Sequence, residues 1–334
     1  MTSIPYWRKR DYNHALQIGQ ERTLAGYLAS MGRVLREWRR VITPTGSAFL
    51  NVGDTYRRTH LVNVPAHVEA AAWAAGWRLR NRIVWSKRGG VPSAAKTRLP
   101  TRYEYVLHLA PRTRRVTYYD LTGYAEHRAE WAAEGDVWSI RVSRDLGDHP
   151  APFPDELVER AVLLGCPAEV CPACGEPRRR LVRRGRTLDL TRPQARRAIQ
   201  LAKQARLTDA HLAAIRATGI SDAGKARRWQ VGAGRNVPEV QRLAAEAKAA
   251  LKGYFREFTF ARPKTVGFTL CRCREPMRAG IVLDPFAGTM TTPRVAAALG
   301  RAAIGSDLRP DASGLALPAT AAAPPRPVPA ARTG

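Results

Sequence analysis

The sequence predicts an α/β fold, a doubly wound and mostly parallel sheet that carries an inserted, mainly helical and basic segment. Short apolar strands alternate with amphipathic helices over residues 1–165 and again over residues 281–308. Such a parallel sheet is covered by helices on both faces. Between the two parts, residues 166–280 hold 25 Lys and Arg against 9 Asp and Glu, a net +16 of the chain's +27. We therefore expect a separate basic element inserted into one sheet domain.

The first part, residues 1–165, contains helices and strands with clear end signals. A helix follows Thr23, a favourable N-cap, and ends before Pro44-Thr45-Gly46. The apolar run Ser47–Val52 is typical of a buried strand. The remaining predicted elements are a helix over Val64–Ala75, strands over Leu79–Trp85 and Tyr103–Leu109, and a helix over Asp155–Leu164.

The rest of the chain divides into the insert, a second sheet segment and a tail. In the insert we predict helices over Pro193–Ala205, Asp209–Ala217 and Pro238–Leu251, with Thr208 and Ser221 as N-caps and Gly219 as a stop. The second sheet segment has a strand over Ile281–Asp284, a helix over Thr292–Leu299 and a strand over Ala302–Asp307. Residues 309–334 are rich in Pro and Ala, and we expect them to be disordered.

Composition excludes several classes of protein. No apolar run approaches the roughly 20 residues of a membrane helix, and the opening MTSIPYWRKR lacks a secretory signal, so we expect a cytoplasmic protein without a membrane partner. Five clustered cysteines do not make a secreted disulfide scaffold. A net charge of +27 favours a nucleic-acid partner. The alternative is a basic surface that is merely well solvated.

The strand, loop and helix around Gly288 are the most informative stretch. Asp284 ends a predicted strand, a tight glycine loop (Pro285–Thr291) follows, and Asp307 ends the next strand 23 residues after Asp284. Ligands of open parallel sheets bind at these carboxyl ends, where glycine permits close approach and a helix N-terminus offers free N–H groups. The second acid is placed to bind ribose hydroxyls. The alternative is an ordinary turn with a surface acid.

The string DPFAGTMTT (residues 284–292) resembles the DPFxGxGTT signature of the amino-group DNA methyltransferases. The resemblance implies a methyltransferase sheet that binds S-adenosylmethionine, with Asp307 on its ribose. The implied cofactor contacts in the loop are Asp284, Pro285, Phe286, Ala287, Gly288, Thr289 and Thr291. Met290 replaces the second loop glycine of the family, so either this residue carries ~1–3 kcal/mol of backbone strain or the loop changes shape.

The opening residues Ser3-Ile4-Pro5-Tyr6 resemble the second, catalytic signature of this family, TSPPYW, with Ile4 in place of the first proline. An exocyclic base amine is a poor nucleophile because its lone pair is delocalised into the ring. Hydrogen-bond acceptors localise that lone pair and aim it at a methyl sulfonium. The resemblance implies that Ser3 Oγ and the Ile4 carbonyl are these acceptors, and that Tyr6 stacks on a flipped base. The alternative is a frayed terminus.

The catalytic signature precedes the cofactor signature, which is the order of the beta-type, permuted class. Ser47–Tyr56 and Arg82–Leu109 also resemble family segments, and Phe153 is expected to line the cofactor pocket. The family has a strand before the catalytic signature. Because the chain starts at that signature, we expect this first strand to be missing. Either the true start of the protein lies upstream of residue 1, or the protein is truncated and the enzyme is weakened.

Two cysteine pairs flank the insert, Cys171 with Cys174 and Cys271 with Cys273. Four thiolates can close a tetrahedral structural zinc site at the base of the insert. Similar pairs occur in inserts of some phage and actinobacterial relatives, which fits the resemblance. The alternative is four free thiols without a metal.

The partner that this resemblance implies is double-stranded DNA, with a cognate restriction endonuclease if the enzyme belongs to a restriction-modification pair, in a bacterial or phage setting. The Ser-led signature favours cytosine N4 as the target, with adenine N6 as the alternative. A third possibility is a catalytically weakened DNA-binding relative. Candidate DNA contacts are Lys87, Arg88, Lys96, Arg98 and Arg102 near the target-base pocket, and Arg196, Arg197, Arg227 and Arg228 in the insert.

Overall fold

The structure is a computed structural model that describes residues 1–89, 97–112, 116–119, 131, 135–142, 153–183, 188, 190, 192–219, 236–259 and 264–308. Its described residues form two compact units. The sheet unit lies within residues 1–116, 136–166 and 279–308, and the helical unit within residues 117–135 and 167–278. No helix in these ranges combines the length and the apolar character that crossing a bilayer requires.

The predicted helices and strands are all present in the predicted order, together with several short strands and one short helix that the sequence did not predict. In chain order they are β1 (Thr2–Ser3), α1 (Leu24–Val41), β2 (Ala48–Val52), β3 (Tyr56–Arg57), β4 (His60–Leu61), α2 (Val64–Ala74), β5 (Trp77–Arg88), β6 (Tyr103–Pro111), β7 (Val137–Arg141), α3 (Asp155–Gly165), β8 (Glu169–Val170), β9 (Arg180–Arg183), α4 (Pro193–Gln204), α5 (Asp209–Thr218), α6 (Pro238–Leu251), a 3-10 turn (Lys252–Tyr254), α7 (Phe255–Thr259), β10 (Lys264–Phe268), β11 (Arg278–Ala279), β12 (Ile281–Asp284), α8 (Thr291–Ala298) and β13 (Ala302–Gly305).

The main sheet has five strands in the order β1-β2-β6-β5-β7. β1 is parallel to β2 and β7 is parallel to β5, whereas β6 is antiparallel to both of its neighbours. The expectation of a mostly parallel sheet is therefore wrong for β6. β5 and β6 are consecutive strands that pair as an antiparallel hairpin, which needs no crossover between them.

β12 and β13 form a separate two-stranded parallel sheet. The Met1 nitrogen lies 3.3 Å from the Leu283 carbonyl oxygen, so β12 runs beside β1. β1 is a two-residue strand, Thr2–Ser3, that leads into the catalytic signature, where the first strand was expected to be missing. The catalytic signature and the glycine loop consequently follow two adjacent strands.

Helices cover both faces of the sheet, which confirms the predicted α/β, doubly wound class. On one face, Tyr27 and Met31 of α1 are buried against Leu50 of β2. On the other face, Phe49 stacks on His108 with ring centroids 4.3 Å apart. Gly165 at the end of α3 packs on Phe49 so closely that a Cβ there would lie 2.6 Å from the ring. Successive strand residues point to opposite faces, so both surfaces of β2 are buried.

The helical unit has its own apolar core. Helices α4 to α7 pack around Ala198, Ile215, Ala247, Leu251 and Phe258, while β9 and β10 pair as an antiparallel ribbon. The predicted helices of the insert are confirmed, and α5 ends at Gly219 with φ +60° as expected for a glycine stop. The expected cap Ser221 and the Pro/Ala-rich tail lie outside the described residues.

Candidate active site

The catalytic signature is an ordered turn at the end of β1. The Ile4 side chain is buried in the core, and its backbone N–H donates to the Asn51 carbonyl at 3.2 Å. The Tyr27 hydroxyl of α1 donates to the Pro5 carbonyl at 2.9 Å. Ile4 therefore anchors the turn through apolar packing, in a place where the family has the stiffer proline.

The side chains of the turn join a polar network, the Tyr6–Glu104 network, formed by Ser3, Tyr6, Asn51, Lys87 and Glu104. The Tyr6 hydroxyl donates to Glu104 Oε2 at 2.8 Å, and Asn51 Nδ2 donates to both of these oxygens at 2.8 and 2.9 Å. Lys87 Nζ donates to Glu104 Oε1 at 2.5 Å. Ser3 Oγ lies 3.5 Å from the Tyr6 oxygen and 3.4 Å from Asn51 Nδ2.

The network keeps the Tyr6 phenol protonated. Burial and the negative charge of Glu104 raise the pKa of Tyr6 well above its usual value. The neutral phenol donates one hydrogen bond to Glu104 and accepts another from Asn51, so its ring has a fixed orientation. This stabilises the aromatic side chain that the family resemblance assigns to base stacking.

Sequence reasoning assigned no individual role to Asn51 or Glu104, although both lie in the segments Ser47–Tyr56 and Arg82–Leu109 that resemble the family. Asn51 is only 2% exposed and lies within the otherwise apolar strand Ala48–Val52. A buried polar side chain in an apolar run implies a specific hydrogen-bond partner, and this signal could have been used. The partner itself, Glu104, is known only from the pairing of β2 with β6.

A cavity of about 120 Å³ opens beside this network. It is lined by Ser3, Ile4, Tyr6, Lys9, Arg10, Tyr12, Asn51, Trp85, Lys87, Glu104, Val142 and Phe153. Three residues of the catalytic signature thus share one cavity with Phe153, which was expected at the cofactor pocket. Lys9, Arg10 and Tyr12 come from the irregular segment before α1, which has no periodic pattern to indicate their position.

Gly53 makes the close packing of Tyr6 possible. A Cβ on Gly53 would lie 2.8 Å from Tyr6 Cε2 and 3.3 Å from the Glu104 carboxyl carbon. Real Cβ atoms do not approach this closely, so a larger residue would displace the tyrosine ring or the carboxylate. The Gly-Asp turn after β2 is therefore part of the site.

The glycine loop is held by the two acids that the sequence identified. Asp284 Oδ1 accepts from the Phe286 N–H at 3.1 Å, and Asp307 Oδ2 accepts from the Gly288 N–H at 2.8 Å. Burial raises the pKa of Asp284, while the nearby amino group of Met1 opposes this rise. Hydrogen bonding by the Thr2 and Thr292 side chains also opposes this rise in the pKa of Asp284.

Left-handed backbone shapes the loop. Gly288 has φ +48° and Met290 has φ +59°. The sequence posed two alternatives for Met290, strain or a reshaped loop, and the structure has the strained conformation. Pro285 is half-buried at the start of the loop, the Ala287 N–H donates to the Ser306 carbonyl at 3.0 Å, and the hydroxyls of Thr289 and Thr291 lie 3.2 Å apart.

The loop and the catalytic turn pack on the same core. Phe286 lies edge-on to Trp38 of α1 with centroids 5.9 Å apart. It contacts the cluster of buried residues that includes Ile4 and Trp7. The two signatures, 280 residues apart in the chain, are therefore neighbours in space.

The basic residues expected near the target-base pocket occupy different environments. Lys87 belongs to the Tyr6–Glu104 network, and its ammonium lies 4.9 Å from the Trp85 ring centroid. Arg88 is exposed and its Nε donates to the Ser139 carbonyl at 2.8 Å. Arg98 lies over the Tyr56 ring, with its guanidinium carbon 3.8 Å from the ring centroid. Arg102, a few residues later in the chain, is exposed.

In the helical unit, Arg196 and Arg197 are exposed on α4. Arg196 donates to the Leu190 carbonyl at 2.8 Å and Arg197 to Gln200 at 2.7 Å. Lys96, Arg227 and Arg228 lie outside the described residues. In the same unit, the Sγ atoms of Cys171, Cys174, Cys271 and Cys273 all lie within 4.8 Å of one another.

A family model described as DNA methylase, of the N6 and N4 methyltransferases, matches residues 1–169. The chain belongs to this DNA methylase family. The matched residues include the catalytic signature, the Tyr6–Glu104 network and Phe153. The resemblance is therefore confirmed at the level of the family, and the glycine-loop signature, residues 284–292, lies outside the matched residues.

Individual relatives of this DNA methylase match about half of the chain. The type II methyltransferase M.MwoI of Methanothermobacter wolfeii is 32% identical over 162 residues, which are 47% of this chain and 22% of that protein. M.Cfr9I of Citrobacter freundii is 28% identical over 194 residues, 49% of this chain and 64% of that protein. The chain thus spans less than two thirds of the length of both curated relatives.

Among solved structures, the cytosine-N4-specific PvuII DNA methyltransferase is 14% identical and superposes with a TM-score of 0.49. The match covers 94% of this chain and 75% of that chain.

Proposed function

We propose that this DNA methylase transfers a methyl group from S-adenosylmethionine to an exocyclic amine of a base in double-stranded DNA. One observation carries the proposal. The catalytic turn and the glycine loop follow adjacent strands, because Met1 contacts Leu283, and both pack on one core. A methyl donor held by the loop and an amine held by the turn would therefore meet at one edge of the sheet.

The glycine loop fits the proposed donor in the chemistry of its residues. Asp284 places a buried carboxylate at the start of the loop, and Asp307 anchors the loop through the Gly288 N–H. The left-handed backbone at Gly288 allows a ligand to approach the main chain. When bound, S-adenosylmethionine supplies an electrophilic methyl on a sulfonium. Asp284, Phe286, Gly288 and Asp307 are the residues that would hold it.

The catalytic turn orients the target amine. Ser3 Oγ and the Ile4 carbonyl accept hydrogen bonds from the amine and so localise its lone pair. Tyr6, with its hydroxyl fixed by Glu104, offers its ring face to the base. Each of these contributions is positional, because effective catalysis of a bimolecular transfer depends on holding both partners in line.

The Ser-led signature favours cytosine N4 as the methylated position, and adenine N6 is the alternative. The helical unit, with exposed arginines such as Arg196 and Arg197 on α4, is the proposed DNA-recognition element. The type II names of its relatives suggest a cognate restriction endonuclease as a partner. The proposed setting is the cytoplasm, with the protein encoded by a bacterium or a phage.

A catalytically weakened DNA-binding relative is the second candidate. Met290 favours it, because the left-handed φ of +59° is strained for a residue other than glycine. The loss of the first proline at Ile4 points the same way. Binding of S-adenosylmethionine separates the two candidates, since only the first requires it.

The test combines transfer and binding. Incubation of the purified chain with DNA and methyl-labelled S-adenosylmethionine should yield labelled N4-methylcytosine, or N6-methyladenine if the alternative base is correct, in digested nucleosides analysed by mass spectrometry. Tyr6→Ala and Asp284→Ala should abolish incorporation, and Trp73→Ala, which changes an exposed aromatic side chain on α2, should not. Calorimetric titration with the cofactor should show binding. DNA binding without detectable cofactor binding would favour the second candidate.

A further inference from the structure

We propose that Cys171, Cys174, Cys271 and Cys273 bind one structural zinc ion within the helical unit. The inference rests on the geometry of these four side chains and does not depend on methyl transfer. It concerns the stability of the basic, helical part of the chain.

The four sulfur atoms already lie at a separation typical of a metal site. All are within 4.8 Å of one another, and all four residues are free thiols in the structure. In a tetrahedral site with zinc–sulfur distances of about 2.3 Å, the sulfurs are about 3.8 Å apart. The thiols thus need only small movements to surround one ion.

Each cysteine pair lies on a tight turn of the kind that presents two sulfurs to one point. Gly175 follows Cys174 with φ +70°, and Arg274 follows Cys273 with φ +56°. The Gly175 N–H also donates to the Cys171 carbonyl at 2.9 Å, which closes the first of these turns.

The donor set selects the metal. Within the part of the chain that the structure describes, the cluster consists of four cysteines and contains no His, Asp or Glu. Soft thiolates arranged tetrahedrally favour Zn²⁺ over the hard cations Mg²⁺ and Ca²⁺, which prefer oxygen ligands. A four-thiolate zinc centre carries a net charge of −2. The alternating sequence Cys271-Arg272-Cys273-Arg274 places cations next to it in the chain.

The positions of the pairs in the chain indicate what the ion does. In the chain, one cysteine pair precedes and the other follows the segment that holds α4 to α7. Strand β9 comes after the first pair, strand β10 comes before the second pair, and the two strands pair with each other. An ion bound by both pairs joins the two ends of this long segment. It therefore closes a loop whose closure costs conformational entropy, so the metal contributes to folding of the helical unit.

The experiment measures metal content in the full-length chain purified without chelators. Elemental analysis should find one zinc per chain. Cys174→Ser and Cys273→Ser should each reduce zinc to a small fraction of this value. The control is Cys166→Ser, which removes the fifth cysteine, located in the sheet unit, and should retain one zinc.

Two further measurements guard against variants that fail to fold. Replacement of the metal in the wild-type chain by Co²⁺ should give the visible absorption of a tetrahedral four-thiolate site. Alkylation of the native wild-type chain should modify the four cysteines only after chelation. A wild-type chain with no zinc, no cobalt absorption and four freely alkylated thiols would overturn the inference, and so would two disulfides found by mass spectrometry. A chain with one zinc but no methyl transfer would contradict the proposed function alone.

Discussion

In the candidate site, the Tyr6 hydroxyl donates a 2.8 Å hydrogen bond to the carboxylate of Glu104, 98 residues away in the chain. Tyr6 follows the strand β1, and Glu104 lies in β6 on the far side of β2. Asn51 of β2 bridges them by donating to both oxygens. Three neighbouring strands thus jointly orient the aromatic ring of the catalytic signature.

Glu104→Gln should impair methyl transfer more than cofactor binding. The amide keeps the shape of the carboxylate, but its NH₂ group faces the donors of Lys87 or Asn51 and cannot accept from them. Misplacement of a positioning group by about 1 Å can reduce the rate about 100-fold, so we expect kcat to fall by about 10- to 100-fold. The KM for S-adenosylmethionine should change little. The control is Glu69→Gln, which replaces the carboxylate on α2 that pairs with Arg82. Full activity of Glu104→Gln would remove Glu104 from the site.

Gly53→Ala should reduce transfer because the added methyl meets the Tyr6 ring at 2.8 Å. The ring must move by several tenths of an ångström or more, and we expect a loss of about 10- to 100-fold in kcat. Gly253→Ala is the matched control, since no atom lies within 4 Å of its added Cβ. Steady-state kinetics on the two variants give the comparison. Equal activity would show that the position of Tyr6 is unimportant for the reaction.

Met290→Gly should be more stable than Met290→Ala by about 1 kcal/mol, because glycine removes the strain of a left-handed φ and alanine does not. Both variants lose the same packing of the methionine sulfur near Gly305. The difference between their free energies of unfolding therefore reports the backbone strain at residue 290. Urea unfolding followed by circular dichroism measures it. Ala213→Gly on α5 should instead lower the free energy of unfolding, because glycine within a helix costs about 1 kcal/mol. A Met290→Ala variant as stable as Met290→Gly would mean that the loop relaxes.

Stability should fall as pH drops from about 6.5 to about 4 because of His108. Burial, aided by the charge of Arg80, lowers the pKa of His108 to about 4 from its ordinary 6.5. Between these values the unfolded chain binds a proton that the folded chain does not, so stability decreases with falling pH. The shift corresponds to about 3 kcal/mol. Below about pH 4 both states are protonated and this contribution stays lost.

The measurement is the free energy of unfolding at pH 7 and pH 4.5 for the wild type and His108→Gln. The variant should show a loss between the two pH values that is smaller by roughly 2 to 3 kcal/mol. His60→Gln, which changes an exposed histidine on β4, should keep the wild-type loss. Identical losses in the wild type and His108→Gln would argue against a buried neutral His108.

Several features of this protein were accessible from the sequence because local patterns encode them. Helical spacing after the N-cap Thr23 predicted α1, and Gly219 predicted the end of α5. The short apolar run after residue 47 predicted β2. Two signatures gave the family. These features depend on neighbours in the chain, where periodicity and capping act over a few residues.

Tertiary structure alone decided which residues meet. The antiparallel direction of β6 could not be predicted from its own apolar pattern, because parallel and antiparallel strands bury similar side chains. Strand pairing, in turn, brought Glu104 to Tyr6 and made a glycine necessary at residue 53. The sequence by itself determined the family, the two signatures and the cysteine pairs. The packing of strands and helices decided the network around Tyr6, the left-handed strain at Met290 and the convergence of four thiols, because distances between residues far apart in the chain exist only once the core has formed.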